Sequence, residues 1–295
     1  MSPVAGTVTA VFGRRYEVED EAGARLDCVS RGKKQIAVCG DRVEFSVTSA
    51  GAAVIEKLLP RRNYLERSDA YKRKAIAANV DQILVLAAVE PRASEEFIAR
   101  VLLIAHAAGV PALLALNKID LPGADAARAR LAVFTAAGYE CVEFTAHPVH
   151  GQPSAPTVLA ERLRGRCTVL TGQSGMGKSS MVNALVTSAT AVTGALSSAL
   201  GSGRHTTTFS RLYHIDDETA LIDCPGMQEV GIHHLSHRDL EAGFREFAPY
   251  LGHCRFANCR HVHEPDCAIR QQAASGGIAG ERLTLFQKLV TETGA

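Results

Sequence analysis

The chain has 295 residues, of which 46% are hydrophobic and 21% are charged, and its formal net charge is +1 at pH 7. This length and apolar fraction predict two or three domains with buried cores. A net charge near zero excludes the overall basic character of many nucleic-acid-binding proteins, so any basic surface must be local. No apolar run is long enough for a membrane span, and residues 1–10 lack the features of a signal peptide. We therefore expect a cytoplasmic protein with no membrane partner.

The first part of the chain alternates between apolar and polar residues. Val43, Phe45 and Val47 are apolar, whereas Glu44 and Ser46 between them are polar, and glycines separate such segments at short intervals. A period of two with frequent turns is typical of short antiparallel strands. This part is predicted to form a small antiparallel barrel or sandwich.

A basic stretch follows at residues 57–74. It holds seven Lys or Arg residues against Glu66 and Asp69, a local net charge of 7 − 2 = +5. Such a stretch can contact phosphate groups, but a solvated linker between domains has the same composition. Both interpretations stay open from the sequence alone.

The middle of the chain alternates between apolar runs and stretches with helical spacing. Strand, helix, strand in repetition predicts a doubly wound α/β sheet with right-handed crossovers. The predicted strands are Ile83–Val89, Ala112–Leu116, Val142–Phe144, Cys167–Leu170 and Leu221–Ile222, and the predicted helices include Ser94–Ala108, Asp125–Ala137 and Ser179–Val186.

A phosphate-binding motif lies between one of these strands and the next helix. The sequence GQSGMGKS matches the pattern G-x-x-x-x-G-K-[ST]. Its glycines allow backbone N–H groups to surround phosphates, Lys178 reaches the β- and γ-oxygens, and the Ser179 hydroxyl is placed to ligate Mg²⁺. The predicted site comprises Gly172, Gln173, Ser174, Gly175, Met176, Gly177, Lys178, Ser179 and Ser180.

A second motif predicts that the nucleotide is GTP. The sequence NKID follows a predicted strand and comprises Asn117, Lys118, Ile119 and Asp120. The Asp120 carboxylate can accept hydrogen bonds from both N1–H and the 2-amino group of guanine, a donor pair that adenine lacks. Asn117 would brace the base edge and the phosphate loop, and the stem of Lys118 would lie along the ring. At the end of the next strand, Thr145 and Ala146 occupy the position of a motif that contacts guanine O6 through backbone N–H groups.

A third motif, DCPG, follows the strand at Leu221–Ile222. Asp223 can hold Mg²⁺ through water, and the N–H of Gly226 can meet the γ-phosphate. The order of the motifs is unusual, because Asn117 precedes Gly172 by 172 − 117 = 55 residues, whereas the phosphate loop comes first in ordinary GTPases. We therefore predict a circularly permuted domain, in which the residues after Gly226 are attached directly to a nucleotide-sensitive switch.

The last part of the chain contains a cluster of possible metal ligands. Cys254, Cys259, His261 and Cys267 have the spacing C-x4-C-x-H-x5-C. Three thiolates and one imidazole form a closed structural zinc site. His263 competes with His261 as the fourth ligand, and buried free thiols are the alternative to a metal site.

Taken together, these motifs closely resemble the RsgA family of bacterial small-subunit-dependent GTPases. The resemblance covers nearly the whole chain and is carried by GQSGMGKSS, by GRHTTT at residues 203–208, and by CRFANCRHVHEPDCAI at residues 254–269. It implies an N-terminal OB-fold at residues 1–65, a permuted GTPase domain at residues 66–231 and a helical zinc-binding module at residues 232–295. It also implies GTP hydrolysis stimulated by the small ribosomal subunit during late maturation, with the subunit and its rRNA as partners of a monomer.

The resemblance also implies roles for individual residues. It places the fourth zinc ligand at His261 and the Mg²⁺-binding switch threonine within residues 206–208, where we favour Thr207. Met227 stands where GTPases usually carry a water-orienting Gln, and its apolar side chain cannot position a water. The resemblance offers His205 for that task, which makes His205 and Lys178 the expected catalytic residues.

Two other classes of function remain possible from the sequence. A P-loop metabolic enzyme would need an acceptor pocket with its own acid or base, and the sequence contains no such constellation. A zinc-dependent RNA-binding protein could use GTP only as a structural ligand. GTP turnover with and without small subunits separates the three classes.

Overall fold

The structure is a computed structural model that describes residues 3–31, 37–49, 51–68, 71–146, 153–186, 209–224 and 230–294. No helix within these ranges has the length and apolar character needed to cross a membrane.

Five strands at the N-terminus form a closed barrel. They are β1 (Val4–Phe12), β2 (Arg15–Asp20), β3 (Arg25–Ser30), β4 (Arg42–Ser49) and β5 (Ala52–Leu58). The strand order is β1-β2-β3-β5-β4, and pairing of β4 with β1 closes the barrel. Inward-facing residues such as Val18, Phe45 and Ile55 are buried, as the alternating sequence requires. This topology confirms the predicted OB-fold.

The basic stretch is not a linker, because most of its second half is paired. Strands β6 (Tyr64–Ser68) and β7 (Arg73–Ala78) form an antiparallel two-stranded sheet. Leu65 and Ala77 on this hairpin are buried, whereas Tyr71–Lys74 are exposed near its tip. The linker interpretation is therefore wrong for the paired residues, and contact with phosphate groups stays a prediction.

The central sheet has the predicted parallel strands. They are β8 (Gln82–Ala88), β9 (Ala112–Asn117), β10 (Cys141–Glu143), β11 (Cys167–Thr171) and β13 (Ala220–Asp223), and β12 (Ser210–His214) is antiparallel to β13. The order is β10-β9-β8-β11-β13-β12. Among the described residues, four helices connect the strands: α1 (Glu95–Ala107), α2 (Ala124–Ala136), α3 (Ala155–Leu163) and α4 (Lys178–Leu185). Strand β12, helix α3 and the hairpin were not anticipated from the sequence.

The barrel joins the central sheet through one strand pair. Ala10 and Val11 of β1 pair with Arg211 and Ser210 of β12 in an antiparallel register. The rings of Phe12 and Phe209 lie 4.6 Å apart beside this junction. Barrel and central sheet therefore form one continuous sheet of eleven strands.

The C-terminal part is helical. It contains α5 (His237–Gly243), a 3-10 helix (Arg245–Tyr250), α6 (Ala268–Ser275) and α7 (Gly280–Thr293). On α7 the residues Phe286, Leu289 and Val290 are buried, so one face of this helix is apolar and packed against its neighbours. These residues belong to the same buried cluster as the central sheet, whereas the barrel has a core of its own. The helical module is therefore packed firmly on the domain that carries the nucleotide motifs.

Candidate active site and metal centre

The phosphate loop connects β11 to α4, as the sequence predicts. Gly175 and Gly177 have φ angles of +81° and +94°, a region that favours glycine. A Cβ atom on Gly177 would lie 2.3 Å from Nδ2 of Asn117. The loop therefore needs glycine for its backbone conformation and for its contact with the guanine motif.

Lys178 lies over the phosphate loop. Its Nζ atom donates hydrogen bonds to the carbonyl oxygens of Gly172 at 2.7 Å and Gln173 at 2.9 Å. Burial lowers the pKa of Lys178, while the negative charge of Asp223 opposes that shift. A half-buried ammonium group at the start of a helix is placed to exchange these carbonyl partners for phosphate oxygens.

Asn117 connects the two motifs. Its Nδ2 donates to the carbonyl oxygen of Met176 at 2.9 Å, and its Oδ1 accepts from the N–H groups of Lys118 at 2.7 Å and Ala146 at 3.1 Å. Only 1% of Asn117 is exposed. The structure thus brings the phosphate loop, the NKID motif and the Thr145–Ala146 position together in one cleft.

The other residues of the NKID motif are more exposed than Asn117. Asp120 is exposed, as a carboxylate that meets an incoming base must be, and Ile119 is half-buried. The ammonium group of Lys118 donates to the carbonyl oxygen of Glu90 at 2.7 Å, which fixes its stem across the cleft. Thr145 is buried, and its N–H donates to the carbonyl oxygen of Pro153 at 3.0 Å.

Asp223 ends strand β13 beside Lys178. Burial raises its pKa, and the charge of Lys178 opposes that shift. Its Oδ1 atom is buried and has no hydrogen-bond partner among the described residues. An unpartnered carboxylate oxygen next to a phosphate loop fits a Mg²⁺ site, because hard cations prefer oxygen ligands. Ser179 is exposed and lies at the second position of α4, directly after Lys178.

Three of the predicted site residues lie outside the described part of the chain. They are His205, Thr207 and Gly226. Ser174 and Ser180 lie at the phosphate loop and at the start of α4, as their motif positions require.

The predicted metal ligands converge at one point. Each of Cys254, Cys259, His261 and Cys267 offers one ligand atom, and all four atoms lie within 4.8 Å of one another. The Sγ atoms of Cys254 and Cys267 are 3.8 Å apart, and the Nδ1 of His261 lies 3.5 Å and 3.2 Å from them. A tetrahedral site with bonds of about 2.3 Å has edges of about 3.8 Å between sulfur atoms. The spacing therefore fits a metal ion.

Burial distinguishes the two candidate histidines. His261 is 2% exposed, whereas His263 is exposed and is absent from the ligand group. Burial also raises the pKa of Cys259 and Cys267. Thiol groups clustered this closely can ionise together only when a cation lies among them, which again fits a metal.

Several neighbouring contacts have no signal in the sequence. The N–H of Ser94 donates to Oε1 of Gln173 at 2.7 Å, which ties the start of α1 to the phosphate loop. Oε1 of Glu241 lies 2.8 Å from Nε2 of His261. No spacing rule connects these pairs, since they are 79 and 20 positions apart.

Fold and site together define a GTPase whose motifs are circularly permuted. The sequence matches the RsgA GTPase family over residues 58–233. A curated relative from Burkholderia pseudomallei (strain 1710b), named small ribosomal subunit biogenesis GTPase RsgA, is 50% identical over 97% of this chain and 91% of its own length. A relative of the same name from Paraburkholderia xenovorans is 47% identical, over 97% and 92%. The chain belongs to the RsgA GTPase family.

Solved structures agree with this assignment. The crystal structure of YjeQ from Thermotoga maritima has a TM-score of 0.72 and 28% identity, and the match covers 99% of this chain and 98% of that one. The structure of YloQ, described as a circularly permuted GTPase, has a TM-score of 0.69 over 99% and 95% of the two chains. At 21% identity the second likeness shows the fold alone.

Proposed function

We propose that this protein hydrolyses GTP and acts in late maturation of the small ribosomal subunit, which stimulates the hydrolysis. The observation that carries the proposal is the hydrogen bond between Asn117 and Met176, which joins a guanine motif to a phosphate loop. Relatives about half identical to this chain are named small ribosomal subunit biogenesis GTPases. These relatives do not favour a metabolic enzyme or a protein that uses GTP only structurally.

In this function the cleft binds GTP with Mg²⁺. Asp120 would read the guanine edge, Lys178 would stabilise charge on the β- and γ-oxygens, and Ser179 and Asp223 would hold the metal. Mg²⁺ supplies charge neutralisation at the phosphates. The buried, unpartnered oxygen of Asp223 supports this arrangement.

We assign three further roles from the family resemblance. Thr207 ligates Mg²⁺ when the γ-phosphate is bound, and the N–H of Gly226 contacts that phosphate. His205 orients the attacking water, because Met227 is apolar at the position of the usual Gln. A subunit that fixes His205 in place would accelerate an otherwise slow hydrolysis.

The metal of the C-terminal module is proposed to be zinc. Three thiolates and one imidazole with no open position are typical of structural zinc. The ion would hold the loop from Cys254 to Cys267, which has few apolar residues to stabilise it otherwise.

The rRNA contact is proposed to involve the hairpin β6–β7. Arg61 of the basic stretch is committed to a bidentate ion pair with the buried Asp41, at 2.7 and 2.8 Å. Arg62 pairs with Asp81 at 2.7 Å. The run Tyr71–Lys74 is exposed and combines an aromatic ring with three cations. Exposed cations beside an aromatic ring suit phosphate contacts and base stacking.

We further propose that the protein acts as a cytoplasmic monomer. Ribosome assembly in bacteria takes place in the cytoplasm, and one copy carries both the nucleotide cleft and the metal ligands. Light scattering coupled to size-exclusion chromatography tests the monomer.

Phosphate release from GTP with and without purified small subunits tests the function. We expect slow basal release and strong stimulation by small subunits, with large subunits as the control. His205→Ala should lower stimulated release about a hundredfold while leaving co-sedimentation with the subunit intact. Release that small subunits leave unchanged would contradict the proposal, and full stimulation of the variant would contradict the role of His205 alone.

A further inference from the structure

The imidazole of His261 has a defined partner on each of its two nitrogen atoms. Nδ1 faces the thiols, at 3.2 Å from Sγ of Cys267 and 3.5 Å from Sγ of Cys254. Nε2 lies 2.8 Å from Oε1 of Glu241, on helix α5. A neutral imidazole carries one N–H group, so a metal on Nδ1 places the proton on Nε2, where it is donated to the carboxylate.

The surroundings hold this ring in one orientation. His261 has a φ angle of +60°, and its carbonyl oxygen accepts a hydrogen bond of 2.7 Å from Nε2 of Gln287. Its ring packs against Phe286, with centroids 5.8 Å apart. Glu241 is the only described carboxylate bonded to the ring, so it is the group that can fix the proton on Nε2 and increase the electron density at Nδ1.

We propose that Glu241 is a positioning residue of the metal centre, which acts on the metal through His261 and does not ligate it. This inference rests on the metal site proposed above. His237, Glu241 and His261 also form a compact group. That group lacks thiolates and offers three ligand atoms among the described residues, whereas the Cys254, Cys259, His261 and Cys267 group offers four, so the three-cysteine side is the better metal site.

Glu241 lies on helix α5, which is held at both ends and packs on the GTPase domain. Helix α5 begins with a capping box between Ser236 and Asp239, and at its other end the hydroxyl of Tyr139 donates to the carbonyl oxygen of Gly243 at 3.3 Å. A Cβ atom on Gly243 would lie 2.4 Å from Leu103 of α1. The carboxylate that orients the metal ligand is therefore carried by a helix packed closely on the GTPase domain, and not by the metal loop itself.

The test compares metal release from the purified wild-type protein and from Glu241→Gln. Glutamine can still accept the hydrogen bond but lacks the charge. Transfer of the bound zinc to a chromophoric chelator should become about 10–100-fold faster, as for other residues that support metal ligands. Glu292→Gln is the matched control, since Glu292 is a carboxylate with a 30% exposed side chain that pairs with Arg100 and His233 and is not part of the ligand cluster. Its release rate should equal that of the wild type.

Two further measurements separate positioning from a merely structural role. Glu241→Gln should lower the urea midpoint of the zinc-loaded protein more than that of the zinc-stripped protein, whereas a structural role lowers both equally. In the cobalt-substituted protein the visible absorption of the variant should shift, and that of Glu292→Gln should not. If Glu241→Gln does not fold, Glu241→Asp keeps the charge with a shorter reach and should give a smaller acceleration of release.

Different outcomes would contradict the proposed metal site and the positioning role of Glu241. A wild-type protein that contains no metal when purified without chelator would overturn the proposed site and the inference together. A metal-loaded wild type with an equal release rate in Glu241→Gln would overturn the inference alone. Equal loss of stability in the loaded and stripped forms of the variant would also overturn it.

Discussion

Asn117 Nδ2 donates a hydrogen bond of 2.9 Å to the carbonyl oxygen of Met176, although the two residues are 59 positions apart. Strands β9 and β11, which lead to these residues, flank β8 in one parallel sheet. Their carboxyl ends therefore lie at the same edge, where α/β sheets bind ligands. The order of strands in the sheet, and not the order of motifs in the chain, builds the site, which explains how a permuted chain retains it.

Asn117→Ala tests this connection. The substitution removes three hydrogen bonds from a buried side chain, and the unpaired backbone groups should lower the affinity for both GTP and GDP by about 1–3 kcal/mol, or about 5- to 150-fold. Nucleotide titration by fluorescence measures the effect. Asn63→Ala is the control, because its side chain bonds to the backbone of Val80 in the hairpin region. Asn63→Ala should lower stability but not nucleotide affinity. Equal losses of nucleotide affinity in both variants would contradict the prediction.

Asp120→Asn tests the choice of base. The amide presents a donor where the guanine 2-amino group needs an acceptor, and it suits the 2-oxo group of xanthine. We expect weaker binding of GTP and tighter binding of xanthosine triphosphate, measured in competition. Asp125→Asn, an exposed residue of α2 that pairs with Arg128, should change neither affinity. Unchanged GTP affinity in Asp120→Asn would remove Asp120 from the site.

The pKa of Lys178 predicts a pH dependence of nucleotide binding. Burial holds this pKa below its usual value of 10.5 in the empty cleft, despite the charge of Asp223. Bound phosphates favour the ammonium form and therefore raise the pKa of Lys178. The affinity for nucleotide has its full value below the pKa that Lys178 has in the nucleotide-free protein, and it declines as the pH rises through that pKa. Calorimetry of GDP binding at about pH 9–10, in two buffers of different ionisation enthalpy, should show proton uptake. Binding without proton uptake at this pH would show that Lys178 does not titrate there.

The sequence predicts local chemistry better than contacts between distant residues. The phosphate loop and NKID were predictable because short patterns at a strand end determine their backbone. The pairing of Glu241 with His261 was not, because it depends on how α5 packs against the metal loop. The choice between His261 and His263 depends on burial, which two histidines one residue apart do not reveal. The hairpin was missed because its charged residues obscure the alternation around Leu65.

Gly40→Ala tests the junction of the barrel with the central domain. Gly40 has a φ angle of +86°, and its carbonyl oxygen accepts a hydrogen bond of 2.8 Å from Nδ2 of Asn79. A Cβ atom there would lie 2.1 Å from the carbonyl oxygen of Ala78, so we expect a loss of roughly 3 kcal/mol or more in the free energy of unfolding. Gly13 also has a positive φ, of +66°, but no atom within 4 Å of an added Cβ. Gly13→Ala should cost only about 1 kcal/mol in urea unfolding, and equal costs would exclude the close contact as the cause.

Ser68 connects the basic hairpin to the residues that follow the third nucleotide motif. Its N–H donates to the carbonyl oxygen of Gly231 at 2.9 Å, and its hydroxyl lies 2.7 Å from Nδ1 of His234 and accepts from the N–H of that residue at 2.8 Å. Asp223 ends the strand that leads towards this segment. A γ-phosphate that orders residues 223–226 would therefore also favour one position of the hairpin.

This connection predicts that small subunits bind the protein more tightly with a non-hydrolysable GTP analogue than with GDP, and that binding weakens steeply with salt. By linkage, the subunit must tighten binding of the GTP analogue relative to GDP by the same factor. Ser68→Ala removes both hydroxyl contacts, worth about 1–2 kcal/mol together, and should reduce the preference for the analogue by up to about thirtyfold without changing nucleotide affinity in the free protein. Co-sedimentation at several salt concentrations measures the ratio of the subunit affinity with the GTP analogue to the subunit affinity with GDP.

Replacing Lys72 and Lys74 by serine should instead weaken binding in both nucleotide states and flatten the salt dependence, because it removes phosphate contacts but leaves the Ser68 connection intact. A ratio of one in the wild type would show that the nucleotide does not control the hairpin, whereas an unchanged ratio in Ser68→Ala would show that control passes through another part of the protein.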